Sequence, residues 1–214
     1  VVDIGGARAG LDVAALRREL PGGYGELRRA ADALLSTNSF LDRLEATGIL
    51  TQEAAVRLGL VGPLARATGL AIDARADHPA RPFAEFPPAV AVGDAGDVLA
   101  RFRVMLAEAA ESVRLIEEIS ETGPGPGLAG PADGRNGQLS RPARSGLGWA
   151  ESSRGESLAW VALDGSGRIT RARLRPASVR NWRGFDDACR SQNVFTDIPI
   201  IEASFWLTVA GTAR

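Results

Sequence analysis

Residues 94–121 read DAGDVLARFRVMLAEAAESVRLIEEISE. Val98, Phe102, Met105, Ala109, Val113 and Ile116 recur every three or four positions, which places them on one stripe of an α-helix. Arg101, Glu108, Glu111 and Glu118 lie elsewhere on the helix. At 1.5 Å per residue such a helix runs about 40 Å, the length of a bundle helix. A mainly helical fold is expected around it.

Upstream, Val13, Leu16 and Leu20, then Leu27, Ala30, Ala31 and Leu34, keep helical spacing, and Pro21-Gly22-Gly23 predicts a break into two helices. Ser39 followed by Asp42 marks a short helix ending near Ala46. Thr51 caps another that stops at Gly59. Residues 63–88 are rich in Gly, Pro, Asp and Arg and read as an irregular segment. Downstream, residues 122–147 have almost no apolar anchors and read as a linker. Ser157 to Leu163, the turn Asp164-Gly165-Ser166-Gly167, and Arg168 to Arg175 predict a hairpin. Its first strand is apolar on both faces, as in a buried strand; its second alternates Arg171, Arg173 and Arg175 with Ala172 and Leu174. A short helix is expected from about Trp182 to Arg190. The fold class is therefore α+β, mainly α: a helical bundle with a C-terminal antiparallel β-hairpin. Residues 1–122 form the bundle part, 123–147 a flexible Gly/Pro-rich loop, and 148–214 the hairpin and closing segment of the same domain.

Composition narrows the function classes. A net charge of −1 removes the usual electrostatic footprint for nucleic acid. One cysteine, Cys189, excludes an internal disulfide and reads as a small buried hydrophobe. No apolar run reaches the roughly 18 residues of a membrane span, and no hydrophobic leader is seen. Every basic residue is arginine, as in a biased coding composition, which lowers the weight of any single arginine. The chain opens on Val1-Val2-Asp3, as a trimmed or partial chain would.

Several ordered segments point further. Ile4-Gly5-Gly6 precedes Leu11. Thr47-Gly48-Ile49-Leu50 leads through Leu58-Gly59-Leu60 and Gly62 to Arg66-Ala67-Thr68-Gly69, then to Asp73, Arg75 and Asp77-His78-Pro79. Glu151-Ser152-Ser153-Arg154-Gly155, Arg175-Pro176-Ala177-Ser178 with Asn181, and Asp197-Ile198-Pro199 follow, and the chain closes on Ser204 to Arg214. In this order they resemble the large subunits of nickel–iron hydrogenases and the related subunit of NADH:quinone oxidoreductase (complex I), most of all the membrane-bound, hydrogenase-3-type (formate hydrogenlyase) form.

Hydrogenases of this type end on Asp-Pro-Cys-x-x-Cys-x-x-Arg, whose two thiolates hold metal. Counted back from Arg214, those positions fall on Thr208 and Gly211, which offer no soft ligand. The resemblance thus implies a subunit of a multi-subunit oxidoreductase that does not hold nickel and iron itself. Electrons from NADH or formate-derived donors would pass toward a quinone-like acceptor, through an iron–sulfur cluster in a partner small subunit. A membrane module would lie beneath, with the chain peripheral on the cytoplasmic face of the cell membrane. A catalytically dead scaffold that kept the fold is the alternative, and filling of the old site by Trp206 and Leu207 would fit it.

Candidate site residues are Glu151 and Arg154, as wall of the old metal cavity or as an ion pair pinning the hairpin to the bundle. His78 is a proton relay or a structural hydrogen-bonding residue, with Asp73 and Arg75 able to tune it. Arg171, Arg173 and Arg175 read as contact with an acidic subunit surface or as a solvated edge.

Overall fold

The computed structural model describes residues 2–3, 6–7, 12–80, 82–122, 144–190 and 193–212. Ile4-Gly5, Leu11, residues 123–143 of the expected linker and the closing Arg214 lie outside them. Strands β1 (Val2–Asp3) and β2 (Gly6–Ala7) form a small antiparallel pair. Helices α1 (Val13–Leu35), α2 (Asn38–Leu44), α3 (Gln52–Leu58), α4 (Pro63–Arg66), α5 (Ala74–Asp77) and α6 (Val98–Thr122) follow. The sheet strands β3 (Arg144–Ser152), β4 (Gly155–Leu163) and β5 (Ile169–Arg175) come next. Helices α7 (Ala177–Asn181), α8 (Arg183–Arg190), α9 (Ile198–Phe205) and α10 (Val209–Thr212) close the described chain, with a 3-10 turn at Phe195–Asp197 before α9. The fold is mainly helical with an antiparallel sheet, as the sequence implies. Among the described residues no helix is long and apolar enough to cross a membrane.

Pro21-Gly22-Gly23 does not break α1, which runs through it as one helix alongside α6. The shielded positions Leu16, Leu20, Tyr24, Ala31 and Leu35 stay on one stripe across the proline. Packing of that stripe overrides local propensity. Pro21 still lacks the N–H that an interior helical residue donates. Pro21→Ala at this exposed position is expected to raise stability by about 1–3 kcal/mol, read as a higher urea midpoint with unchanged m-value.

Thr51 caps α3 through Ala54 N–H (3.1 Å), and Gly59 ends it in the left-handed conformation at φ 65°, both as expected. Helix α6 begins at Val98 rather than Asp94, because Asp97 is its cap. One Asp97 oxygen accepts from Ala100 N–H at 2.7 Å and the other from Ala46 N–H at 2.9 Å. This ties the long helix to the turn after α2. The core joins Leu44, Leu50, Leu60, Leu64, Leu99, Ile201 and Phe205, so segments before and after α6 meet on it.

Three of the charged residues off that stripe are largely shielded: Arg101, Glu108 and Glu111, the last with its side chain 11% exposed. Arg101 is 0% exposed. It donates from Nε to Ser204 Oγ (2.9 Å) and from Nη1 to the Gly48 and Gly96 carbonyls (3.0 and 2.8 Å). Its guanidinium lies 5.2 Å from the Phe205 ring centre, and burial pulls its pKa down to about 10. Glu108 is the second, described below.

The hairpin is part of a three-stranded antiparallel sheet of order β3-β4-β5. The added strand β3 starts at Arg144, inside the stretch read as linker, and pairs with β4 from Arg144↔Leu163 to Ser152↔Gly155. As the centre strand, β4 has neighbours on both edges, yet most of it is only half-buried, not buried. The sheet is anchored at its β3–β4 turn. Gly62, at φ 66°, faces this turn so closely that a Cβ there would lie 2.3 Å from the Arg154 carbonyl oxygen. Gly155, at φ 118°, faces back, with 2.6 Å between its own would-be Cβ and Gly62 N.

Candidate functional site

Where the sheet turn meets α4, α5 and α6, five ionisable side chains converge, with Arg66 at the centre. Arg66 is the last residue of α4 and its side chain is 1% exposed. Its Nε donates to Glu108 Oε1 at 2.6 Å, and Nη1 donates to Ile72 O at 2.7 Å and Glu151 Oε1 at 3.0 Å, with Asp73 Oδ2 at 3.4 Å. Arg75 forks onto Asp73 through Nε (3.0 Å) and Nη2 (2.7 Å). Asp73 also caps α5, accepting from Arg75 N–H, while the second Glu151 oxygen accepts from Ala74 N–H at 3.1 Å. Thus the segment read as irregular holds two short helices, and their ends orient the cluster.

Three carboxylates face two guanidiniums, so full ionisation leaves one surplus negative charge in a buried place. Burial pushes Glu108 and Glu151 above the usual glutamate range, against the pull of Arg66. Asp73 moves the other way: burial raises it, but the hydrogen bonds and charge of Arg75, with the charge of Arg66, outweigh that and lower it. Of the three carboxylates, Glu108 and Glu151 are thus the two held above their ordinary range. Both line a cavity of about 220 Å³ with Arg75, Ser152, Ser153 and Trp206.

The signs give a pH test. A raised folded-state pKa contributes stability that is complete below the unfolded glutamate value and is lost as pH rises through the folded value. Lowering pH from 7 toward 5 should therefore raise the urea midpoint, until the opposite Asp73 contribution is lost at lower pH. In Glu108→Gln/Glu151→Gln that rise should vanish. A variant retaining the full rise would remove these residues as its source.

The remaining candidates separate. Arg154 does not pair with Glu151, whose carboxylate is taken by Arg66 and Ala74. Instead Arg154 donates from Nε to the Trp206 carbonyl and stacks 4.8 Å from the centre of the Trp206 ring. Trp206 ends α9 in the left-handed conformation at φ 50°. The Arg154 carbonyl accepts from Asn181 Nδ2 (3.1 Å), and the same fully buried Asn181 pairs with both Val61 N–H and Val61 C=O. His78 is exposed and sits edge-on to Trp149, ring centres 5.3 Å apart, outside the charge cluster. Cys189 packs against the core beside Ala188.

Thr208 and Gly211 are locked to Ser178. Thr208 N–H donates to Ser178 Oγ at 3.2 Å, the two hydroxyls lie 3.3 Å apart, and Gly211 N–H donates to Thr208 Oγ1 at 3.2 Å. A Cβ at position 211 would sit 2.5 Å from Thr208 Oγ1 and 3.0 Å from Ser178 Cβ. Just before them, Phe205 is buried at 1% exposed, whereas Trp206 is 47% exposed; Leu207 packs on the core. The space between Met105, Arg154, Ser204, Phe205 and Trp206 is too narrow to admit a water molecule. Among the described residues no group of three or more His, Cys, Asp or Glu is arranged to hold a metal ion.

Asp73, Arg75 and Glu151 therefore meet as one unit, while Arg154 and His78 stand apart. Arg66 and Glu108 join that unit without having been expected there. Arg101 and Glu108 lie seven residues apart, two turns, on one side of α6, and that pair of charges was the available sign of a polar seam.

The family model for the respiratory-chain NADH dehydrogenase, 49 Kd subunit, matches residues 4–133. An NADH-quinone oxidoreductase subunit of Herpetosiphon aurantiacus is 32% identical over 183 residues, covering 85% of this chain and 49% of that protein. Formate hydrogenlyase subunit 5 of Escherichia coli is 32% identical over 179 residues, covering 84% and 30%. The carbon monoxide-induced hydrogenase of Rhodospirillum rubrum is 31% identical over 190 residues, covering 88% and 51%. Among solved structures, a chain of the membrane-bound sulfane sulfur reductase, an archaeal respiratory membrane complex, superposes with TM-score 0.86 at 26% identity, covering 98% of this chain and 58% of that one. The chain spans about half the length, or less, of these curated relatives.

Proposed function

Because the chain belongs to the family of the respiratory-chain NADH dehydrogenase 49 Kd subunit, we propose that it works as part of an electron-transferring subunit in a respiratory-type complex. On this reading it carries no nickel–iron centre. Electrons from NADH or a formate-derived donor arrive through an iron–sulfur cluster in a neighbouring small subunit and leave on a quinone-like acceptor. A membrane module lies beneath, and the chain sits peripherally at the inner face of the cell membrane. Glu151, Asp73 and Arg75 with Arg66 and Glu108 form a charged wall at the cavity rim.

The observation that carries the nickel-free reading is the Thr208–Ser178–Gly211 lock. Neither Thr208 nor Gly211 supplies a thiolate, and the side chain of a cysteine at 211 would collide with Thr208. Metal analysis of the full-length protein, purified with its native partners, tests it. Iron without nickel is expected, with the iron lost when the partner subunit is removed. Stoichiometric nickel would overturn the reading.

A second reading, a scaffold without catalysis, draws on the closed space beside Phe205 and Ser204. The two separate in the assembled complex. Glu151→Gln should slow acceptor reduction without loss of assembly if the wall takes part. Unchanged turnover in an intact complex would favour the scaffold.

A further inference from the structure

Trp206 combines features that a merely structural residue does not need. It ends α9 with φ 50° and ψ 38°, a left-handed conformation that favours glycine at a helix end. Its side chain nevertheless stays about half exposed, so full burial of the indole does not offset that backbone cost. A helix stop alone would ask for glycine, and a core filler would be covered.

The indole also borders two spaces at once. One is the cavity of about 220 Å³ at the charge cluster, where Arg75, Glu108 and Glu151 make a polar wall and Met105, Ala109 and Trp206 an apolar one. The other is the slot toward Leu64, Ser204 and Phe205, too narrow for a water molecule. The two share Met105, Ser153 and Trp206 as walls, so they adjoin. Trp206 is the bulkiest of these three. Its backbone is anchored separately from its ring: Arg154 Nε donates to the Trp206 carbonyl, while the guanidinium stacks on the indole. The anchor therefore does not depend on which side chain stands at position 206.

We propose that Trp206 is the size filter of this cavity, admitting a planar acceptor of one ring and keeping out one of two fused rings. An apolar cavity of about 150 Å³ is enough for benzene, so the space beside Trp206 suits a single substituted ring. The ring of such a molecule would lie against Met105 and Trp206, with its oxygen substituents toward Arg75, Glu108 and Glu151. Without the indole, the slot and the cavity become one longer space that reaches Phe205. This rests on the reading of the chain as a subunit that delivers electrons to a quinone-like acceptor, and it adds which acceptors fit.

The test measures binding, so it does not depend on turnover. The full-length protein, purified with its native partners, is titrated calorimetrically with 4-methoxyphenol and with 4-methoxy-1-naphthol. These probes carry the same polar groups on one ring and on two. Trp206→Gly suits the left-handed backbone and keeps the Arg154 anchor, so its thermal melt should stay near that of the wild type. It should shift the ratio of the two affinities at least tenfold toward the two-ring probe, whereas Trp206→Phe should keep most of the wild-type ratio. An unchanged ratio in a folded Trp206→Gly protein would overturn the filter and leave the acceptor reading standing. A shift of equal size in Trp206→Phe would also overturn it, since an aromatic ring would then not be what excludes the second ring. If the wild type binds neither probe, the acceptor reading fails at this cavity and the filter falls with it.

Discussion

Arg66→Met is expected to destabilise the protein by about 3–5 kcal/mol at neutral pH, among the largest effects of any single substitution here. The shape is roughly conserved, so the loss is electrostatic. Glu108 and Glu151 lose their guanidinium while remaining in place, and Asp73 keeps only Arg75. An unpaired buried carboxylate costs several kcal/mol or takes up a proton. The variant should therefore recover much of its loss as pH falls toward 5, when both glutamates can be neutral. Adding Glu108→Gln and Glu151→Gln should restore part of the stability at neutral pH. Urea midpoints across pH for the single and triple variants decide the matter. A pH-independent loss in the single variant would show that packing, not charge, holds this junction.

Gly62→Ala should be comparably severe, about 3–5 kcal/mol, for a different reason. The added methyl would enter the backbone of the sheet turn, within 2.3 Å of the Arg154 oxygen and 2.6 Å of Gly155 Cα. Neither neighbour is a flexible side-chain end, so one segment must move. Left-handed strain at φ 66° adds about 1–2 kcal/mol to the overpacking. Gly167→Ala, at φ 82° but with open space around it, serves as the comparison. It should cost only the conformational part. If both cost the same, the contact between Gly62 and the turn contributes nothing of its own.

Much of the fold could be read from the chain because its signals were local. Thr51 and Gly59 bracket α3 by capping chemistry, and Asp164-Gly165 turns β4 into β5. Pro21-Gly22-Gly23 misled, since propensity speaks for a break while the in-phase stripe from Leu16 to Leu35 speaks for continuity, and packing decides. Strand β3 was hidden because its glycines, Gly146 and Gly148, mimic a linker; its pairing partner lies on β4, where local pattern does not reach. Asp73, Arg75 and Glu151 were legible through ordered motifs. Arg66, Arg101 and Glu108 were not, because a charge on a helix is read as solvated unless its buried partners are known. The pairs Arg66–Glu108, Arg101–Gly48 and Arg66–Glu151 are 42, 53 and 85 residues apart in the chain.

Asn181 gives the sheet a mechanical property. It bonds Val61 as a neighbouring strand would and holds the Arg154 carbonyl through the same amide, while Gly62 and Gly155 touch backbone to backbone at the same point. Among the described residues the sheet is therefore clamped near its turn, and β4 carries it about 30 Å outward from that clamp. It behaves as a lever whose fulcrum is the turn bearing Ser152 and Arg154. Glu151 stands at the short arm and β5 on the long one.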